Sequence, residues 1–169
     1  MWQITRGRRV RAILGALALA ALVVVSGRAS AAHAAGQPDF RTVLEAQSWN
    51  VAVDETAYVT AFYNRKTADN GPAKVTLYLQ KGFGAPTILN AEGFSCTRGY
   101  QAGGSFPGWY ITCTKPSIAP NGAWFDAIQV KAQAPSTAGD YLVISGIDPA
   151  SGADLDPSDN RTDNKLHVS

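Results

Sequence analysis

The chain has 169 residues, of which 46% are hydrophobic and 17% charged, with a formal net charge of +2, two cysteines and two histidines. That length suits one domain with its own core rather than several. Five of the fifteen basic residues (Arg6, Arg8, Arg9, Arg11 and Arg28) and none of the thirteen acidic ones fall in the first 34 positions, so residues 35–169 are net acidic, near −3, and do not offer the basic surface that nucleic acid or an anionic membrane requires.

Residues 1–34 read as a secretory signal peptide. A positive segment is followed by an apolar run from Ala12 to Val25, then by two candidate cleavage triplets, Ala29-Ser30-Ala31 and Ala32-His33-Ala34. The apolar run is shorter than the roughly 20 residues a spanning helix needs. No cysteine follows it, which argues against a lipid anchor there. Arg8-Arg9 is compatible with a twin-arginine signal, but the residues after it do not strengthen that route over general secretion. The mature chain, 35–169, is therefore expected outside the cell or at its surface, as a single free domain with no membrane span.

Along 35–169 no stretch carries a helical period. Short alternating runs punctuated by Gly, Pro, Asn and Asp predict seven or eight strands. The first is expected near Phe40–Gln47 and the next over Thr56–Asn64, where Tyr58, Thr60 and Phe62 alternate with Ala57, Val59 and Ala61. Asp69-Asn70-Gly71-Pro72 is a turn. Over Ala73–Gln80, Val75, Leu77 and Leu79 share one face, while Thr76, Tyr78 and Gln80 take the other.

Two cysteine-bearing strands follow, near Phe94–Thr97 and Trp109–Thr114. The loop Gly99–Gly108 between them contains four glycines and reads as mobile when free. Pro120-Asn121-Gly122 is a turn leading into the longest strand, Ala123–Gln133. Gly139–Ile147 sets Tyr141, Val143, Ser145 and Ile147 against Leu142 and Ile144. An Asp-rich loop, Asp148–Asn164, precedes a short last strand, Lys165–Val168. Sequential strands joined by turns predict an all-β fold, an antiparallel two-sheet sandwich.

In a secreted chain Cys96 and Cys113 point to one disulfide. Free thiols or half of a metal site are the alternatives. A zinc site needs four ligands, however, and His167 is the one histidine after residue 34.

The order of motifs resembles a known family. A turn-Gly-Pro enters a strand (Asn70 to Leu79). Gly93-Phe94-Ser95-Cys96-Thr97 and Ile111-Thr112-Cys113-Thr114 follow. Then come Ile118-Ala119-Pro120-Asn121-Gly122, Ala138-Gly139-Asp140-Tyr141, and a closing Asp156-Pro157 to Asn160 segment. This resembles the bacterial surface-protein repeat catalogued as domain of unknown function eleven, and is similar to the cell-adhesion-related domain found in bacteria. The resemblance spans about residues 39–168. It implies an immunoglobulin-like sandwich outside the cell with an interaction or spacer role, and it supplies no catalytic residues.

No nucleophile–histidine–acid set can be built around His167, and no phosphate-binding glycine loop occurs. Two candidate sites remain. Asp154, Asp156 and Asp159, in the Asp-rich loop, offer oxygens at short spacing as calcium prefers, but Asp159 stands where a calcium loop needs glycine. The same residues also serve turns. Tyr100, Phe106, Trp109 and Tyr110 make the loop between the cysteines a candidate binding surface, because exposed rings on a β-scaffold stack on sugars or anchor a protein. The alternative is that Trp109 and Tyr110 belong to the strand with one ring packed in the core, which leaves Tyr100 and Phe106 as the exposed pair. The expected function is that of a non-catalytic, secreted module binding a protein or a cell-surface glycan and needing no cofactor. A structural envelope module without a ligand, or a small hydrolase, are the alternatives.

Overall fold

The structure, a computed structural model, describes residues 38–66, 71–119, 126–150 and 153–169. The expected signal peptide lies outside them, as do Asp69 and Asn70 of the Asp69–Pro72 turn, the Pro120–Gly122 turn and the first residues of the strand expected at Ala123.

Among the described residues, ten strands form two sheets. β1 (Phe40–Ala46), β3 (Thr56–Arg65), β8 (Asp126–Gln133) and β5 (Thr87–Asn90) make a four-stranded sheet in the order β1-β3-β8-β5. β2 (Asn50–Val51), β10 (Arg161–Val168), β9 (Gly139–Pro149), β4 (Ala73–Gln80), β7 (Gly108–Lys115) and β6 (Ser95–Gln101) make a six-stranded sheet in that order. Every pairing is antiparallel except the two-residue match of β2 with β10, which is parallel.

The alternation read from sequence becomes the core. Ala57, Val59, Ala61 and Tyr63 of β3 face Val75, Leu77 and Leu79 of β4, Ile111 of β7, Val143 and Ile147 of β9, and Leu166 of β10. Period two leaves the other face of each strand for solvent. Hence Thr76, Tyr78 and Gln80 of β4, Tyr110 and Thr112 of β7, and Leu142 and Ile144 of β9 share the outer face of the six-stranded sheet.

Cys96 and Cys113 are bonded and directly opposite each other across β6 and β7. The bridge fastens an edge strand to its neighbour rather than joining the two sheets. A buried hydroxyl chain does link the sheets: Thr42 Oγ1 and Ser145 Oγ lie 2.7 Å apart, and Ser145 Oγ donates to Tyr63 Oη at 3.0 Å.

Three expectations need correction. β2 and β5 were absent from the sequence reading, being too short to show a period. The two cysteine strands are longer than expected, so the loop between them is 102–107 rather than Gly99–Gly108. β9 runs to Pro149 and β10 starts at Arg161, so strand takes over both ends of the segment read as an Asp-rich loop.

Candidate functional site

The four aromatic candidates do not form one surface. β-strand alternation sends Trp109 and Tyr110 to opposite faces of β7. Trp109 turns inward, packs against the core and donates from Nε1 to the carbonyl of Phe83 at 3.1 Å. Tyr100, opposite Trp109 in register on edge strand β6, stacks on it with centroids 5.0 Å apart and stays 46% exposed at the sheet edge. These two form a flank of the sandwich.

Tyr110 turns outward and meets Tyr78, its register partner on β4, at 5.1 Å between centroids. Phe106 folds back from the loop onto Tyr78, edge to face at 6.0 Å, and remains 43% exposed. The loop is tied down at several points. Tyr110 Oη donates to the carbonyl of Phe106 at 2.7 Å. Tyr78 Oη and the amide of Lys81 both donate to the carbonyl of Pro107, at 2.9 and 2.8 Å. Burial, with Tyr110 and Tyr100 nearby, raises the Tyr78 hydroxyl above its ordinary value, so it stays protonated and donating at neutral pH. The aromatic wall is thus held in place before any ligand arrives.

These rings line one side of a groove of about 350 Å³ on the outer face of the six-stranded sheet. Thr76, Ile144, Gly146 and Asp148 contribute to its lining from β4 and β9, and Pro157, Asn160 and Arg161 join them from the 3-10 turn and the start of β10. The Arg161 guanidinium lies 5.9 Å from the Phe106 ring centroid, within reach of the ring's attraction for a cation. Asn160 is buried, its carbonyl accepts from Ile147 N at 2.9 Å, and its Oδ1 has no hydrogen-bond partner among the described residues. Sequence reading named Phe106 and Tyr110. It missed Tyr78, Asp148, Asn160 and Arg161, which join them only because β4 pairs with both β7 and β9, and β9 with β10. The outward position of Tyr78 was the one available signal.

The candidate calcium residues are engaged otherwise. Asp154 accepts from the amides of Phe40 and Asp156, both at 2.9 Å. Asp156 caps the short 3-10 turn Pro157–Asp159 by accepting from Ser158 N at 3.2 Å. Asp159 pairs with Lys66, whose Nζ also lies 3.6 Å from Asp39 and 3.8 Å from Asp156. An ammonium therefore sits among these carboxylates. Among the described residues no group of three or more His, Cys, Asp or Glu is placed to hold a metal ion. His167 Nδ1 lies 2.9 Å from Asp140 on an exposed strand face, and that pair has no nucleophile described beside it.

No family model matches this chain, and no curated protein does. Solved structures do. The CARDB domain of a Pyrococcus furiosus protein, in complex with di-metal ions, superposes with a TM-score of 0.52 at 14% identity, over 79% of this chain and 90% of that one. The fold is an immunoglobulin-like β-sandwich. A cohesin module of a Clostridium perfringens family 33 glycoside hydrolase aligns at a TM-score of 0.49 and 11% identity, over 79% of this chain and 98% of that one. At these identities the likeness establishes the fold alone. The family resemblance read from the motifs holds at that level, and the repeat family itself is not established.

Proposed function

We propose that this chain is a secreted, non-catalytic immunoglobulin-like module of the bacterial surface-repeat kind, and that it acts by binding a protein or a cell-surface glycan through the outer-face groove. The observation that carries the reading is the pinned aromatic side of a concave face, where Phe106 and Tyr110 lie on the buried ring of Tyr78 and the Arg161 guanidinium lies over Phe106. Rings are costly to leave in water, and a purely structural sheet face has no need to hold Phe106 exposed beside a groove. The signal-peptide pattern of residues 1–34 supports secretion. The mature N-terminus is then expected directly after Ala31 or Ala34, which Edman or mass-spectrometric sequencing of secreted protein checks.

Retention on isolated bacterial cell envelopes tests the binding reading. The wild-type chain is expected to be retained. The double variant Phe106→Ser, Tyr110→Ser is expected to wash off while keeping most of its melting temperature, because neither ring belongs to the inter-sheet core. Equal retention of wild type and variant overturns the groove as the binding surface and leaves the structural-module reading.

A further inference from the structure

We propose that the groove is a subsite for a neutral pyranose ring of a glycan. The inference rests on the binding reading above and names its ligand. A pyranose ring has an apolar C–H face and a rim of hydroxyl groups. The groove offers the complement of both. Exposed Phe106 and half-buried Tyr110, backed by the buried ring of Tyr78, supply fixed aromatic surface on which a C–H face packs. Asp148, Asn160 and Arg161 supply the polar part. A carboxylate accepts from two neighbouring hydroxyls, a guanidinium donates to two, and a carboxamide does one of each, so these planar groups suit vicinal diols.

Charge selects against other small ligands. Asp148 and Arg161 contribute opposite single charges to the lining, and neither has an ion-pair partner among the described residues. A cationic ligand would meet a guanidinium already lying over Phe106. An anionic one would lose hydration against the rings with Asp148 beside it. A neutral polyol meets neither penalty and can use both charges as hydrogen-bonding partners.

Size and surroundings select against a protein. A groove of about 350 Å³ is at the small end of ligand pockets, which run from roughly 300 to 1,000 Å³. A protein interface buries about 800 Å² on each side around an apolar centre. Outside the groove, the outer face carries Lys74, Thr112, Asp163, Lys165 and His167 along its strands.

The test is an amide NMR titration of the isotope-labelled full chain with cellohexaose, mannohexaose, N-acetylchitohexaose and, as the anionic comparison, hexagalacturonate. At least one neutral hexasaccharide is expected to shift the amides of Tyr78, Tyr110 and Gly146. Arg161→Ala and Phe106→Ser are each expected to weaken it about tenfold or more, as loss of a charged hydrogen bond or a stacking ring does. Tyr100→Ser, on the sheet flank, is expected to leave affinity unchanged. Thermal melts confirm that each variant is folded. Silence across the neutral panel, preference for hexagalacturonate, or equal affinity in folded Arg161→Ala overturns the sugar assignment. If the groove amides ignore every saccharide but shift with a protein fraction of cell envelopes, only the sugar falls. If they respond to neither, the binding reading falls with it.

Discussion

Tyr63 is fully buried between the sheets, and its hydroxyl survives there because Ser145, itself hydrogen-bonded to Thr42, donates to it. Ser145 is the middle member, so removing it strands two buried oxygens at once. Ser145→Ala is expected to cost about 1–3 kcal/mol in chemical denaturation, the penalty of unsatisfied buried polar groups. The triple change Thr42→Val, Ser145→Ala, Tyr63→Phe is expected to recover part of that loss, since it leaves no orphan oxygen. Burial also raises the Tyr63 hydroxyl above its ordinary value. Above about pH 10 the unfolded chain releases this proton and the folded chain keeps it, so stability falls as pH rises. Tyr63→Phe is expected to flatten that alkaline slope, as read from melts across the alkaline range. An unchanged slope would show that Tyr63 is not the group responsible.

At the scale of elements, the hairpin β6–β7 decides the shape of the groove wall, and Gly108 decides the hairpin. It opens β7 at φ 154°, and a Cβ there would lie 2.2 Å from the carbonyl oxygen of Leu79 on β4. That contact involves backbone, so it cannot be relieved by turning a side chain. Gly108→Ala is expected to cost about 2–3 kcal/mol through strain and to displace Phe106, visible as loss of the Tyr78–Phe106 ring-current shift; a neutral outcome would refute the close approach. The strand alternation behind this arrangement was legible in sequence for β3, β4 and β9, where three or more apolar positions fall on one face at period two. The disulfide was legible as two cysteines in a chain expected to be secreted, and its in-sheet placement follows from two strands joined by one short loop. The groove was not legible. Tyr78 and Arg161 are separated by most of the domain in sequence, and only the order β10-β9-β4-β7 brings their outward faces together. The ends of β9 and β10 were hidden because Asp148, Asp163 and Asn164 are turn-forming types, here exposed on solvent-facing strand positions where such residues cost little.

Over the whole molecule, the beginning and end of the described domain are sewn together. Phe40 N donates to Asp154, Leu155 N to the carbonyl of Pro38 at 3.0 Å, and Thr162 Oγ1 to the carbonyl of Thr42 at 2.8 Å. Each closes a loop of more than a hundred residues, and the entropy of closure must be met by what forms at the seam. Lys66 is the electrostatic part of that seam, set among Asp39, Asp156 and Asp159. Asp39 is raised above the ordinary carboxylate value, first by burial and then by the neighbouring aspartates, with Lys66 pulling the other way. Removing the ammonium takes away that downward pull and leaves the carboxylates to repel one another. Lys66→Met is therefore expected to melt lower than wild type at neutral pH. The sign of its pH dependence follows. With the folded-state value of Asp39 above its unfolded one, the folded chain takes up that proton first, so the variant regains stability as pH falls toward about 4. The gap between the two melting curves is expected to narrow over that window and to narrow likewise with added salt. A gap that stays constant with pH would mean that Lys66 contributes through the packing of its methylene stem, and a variant that melts with the wild type at neutral pH would remove Lys66 from the seam altogether.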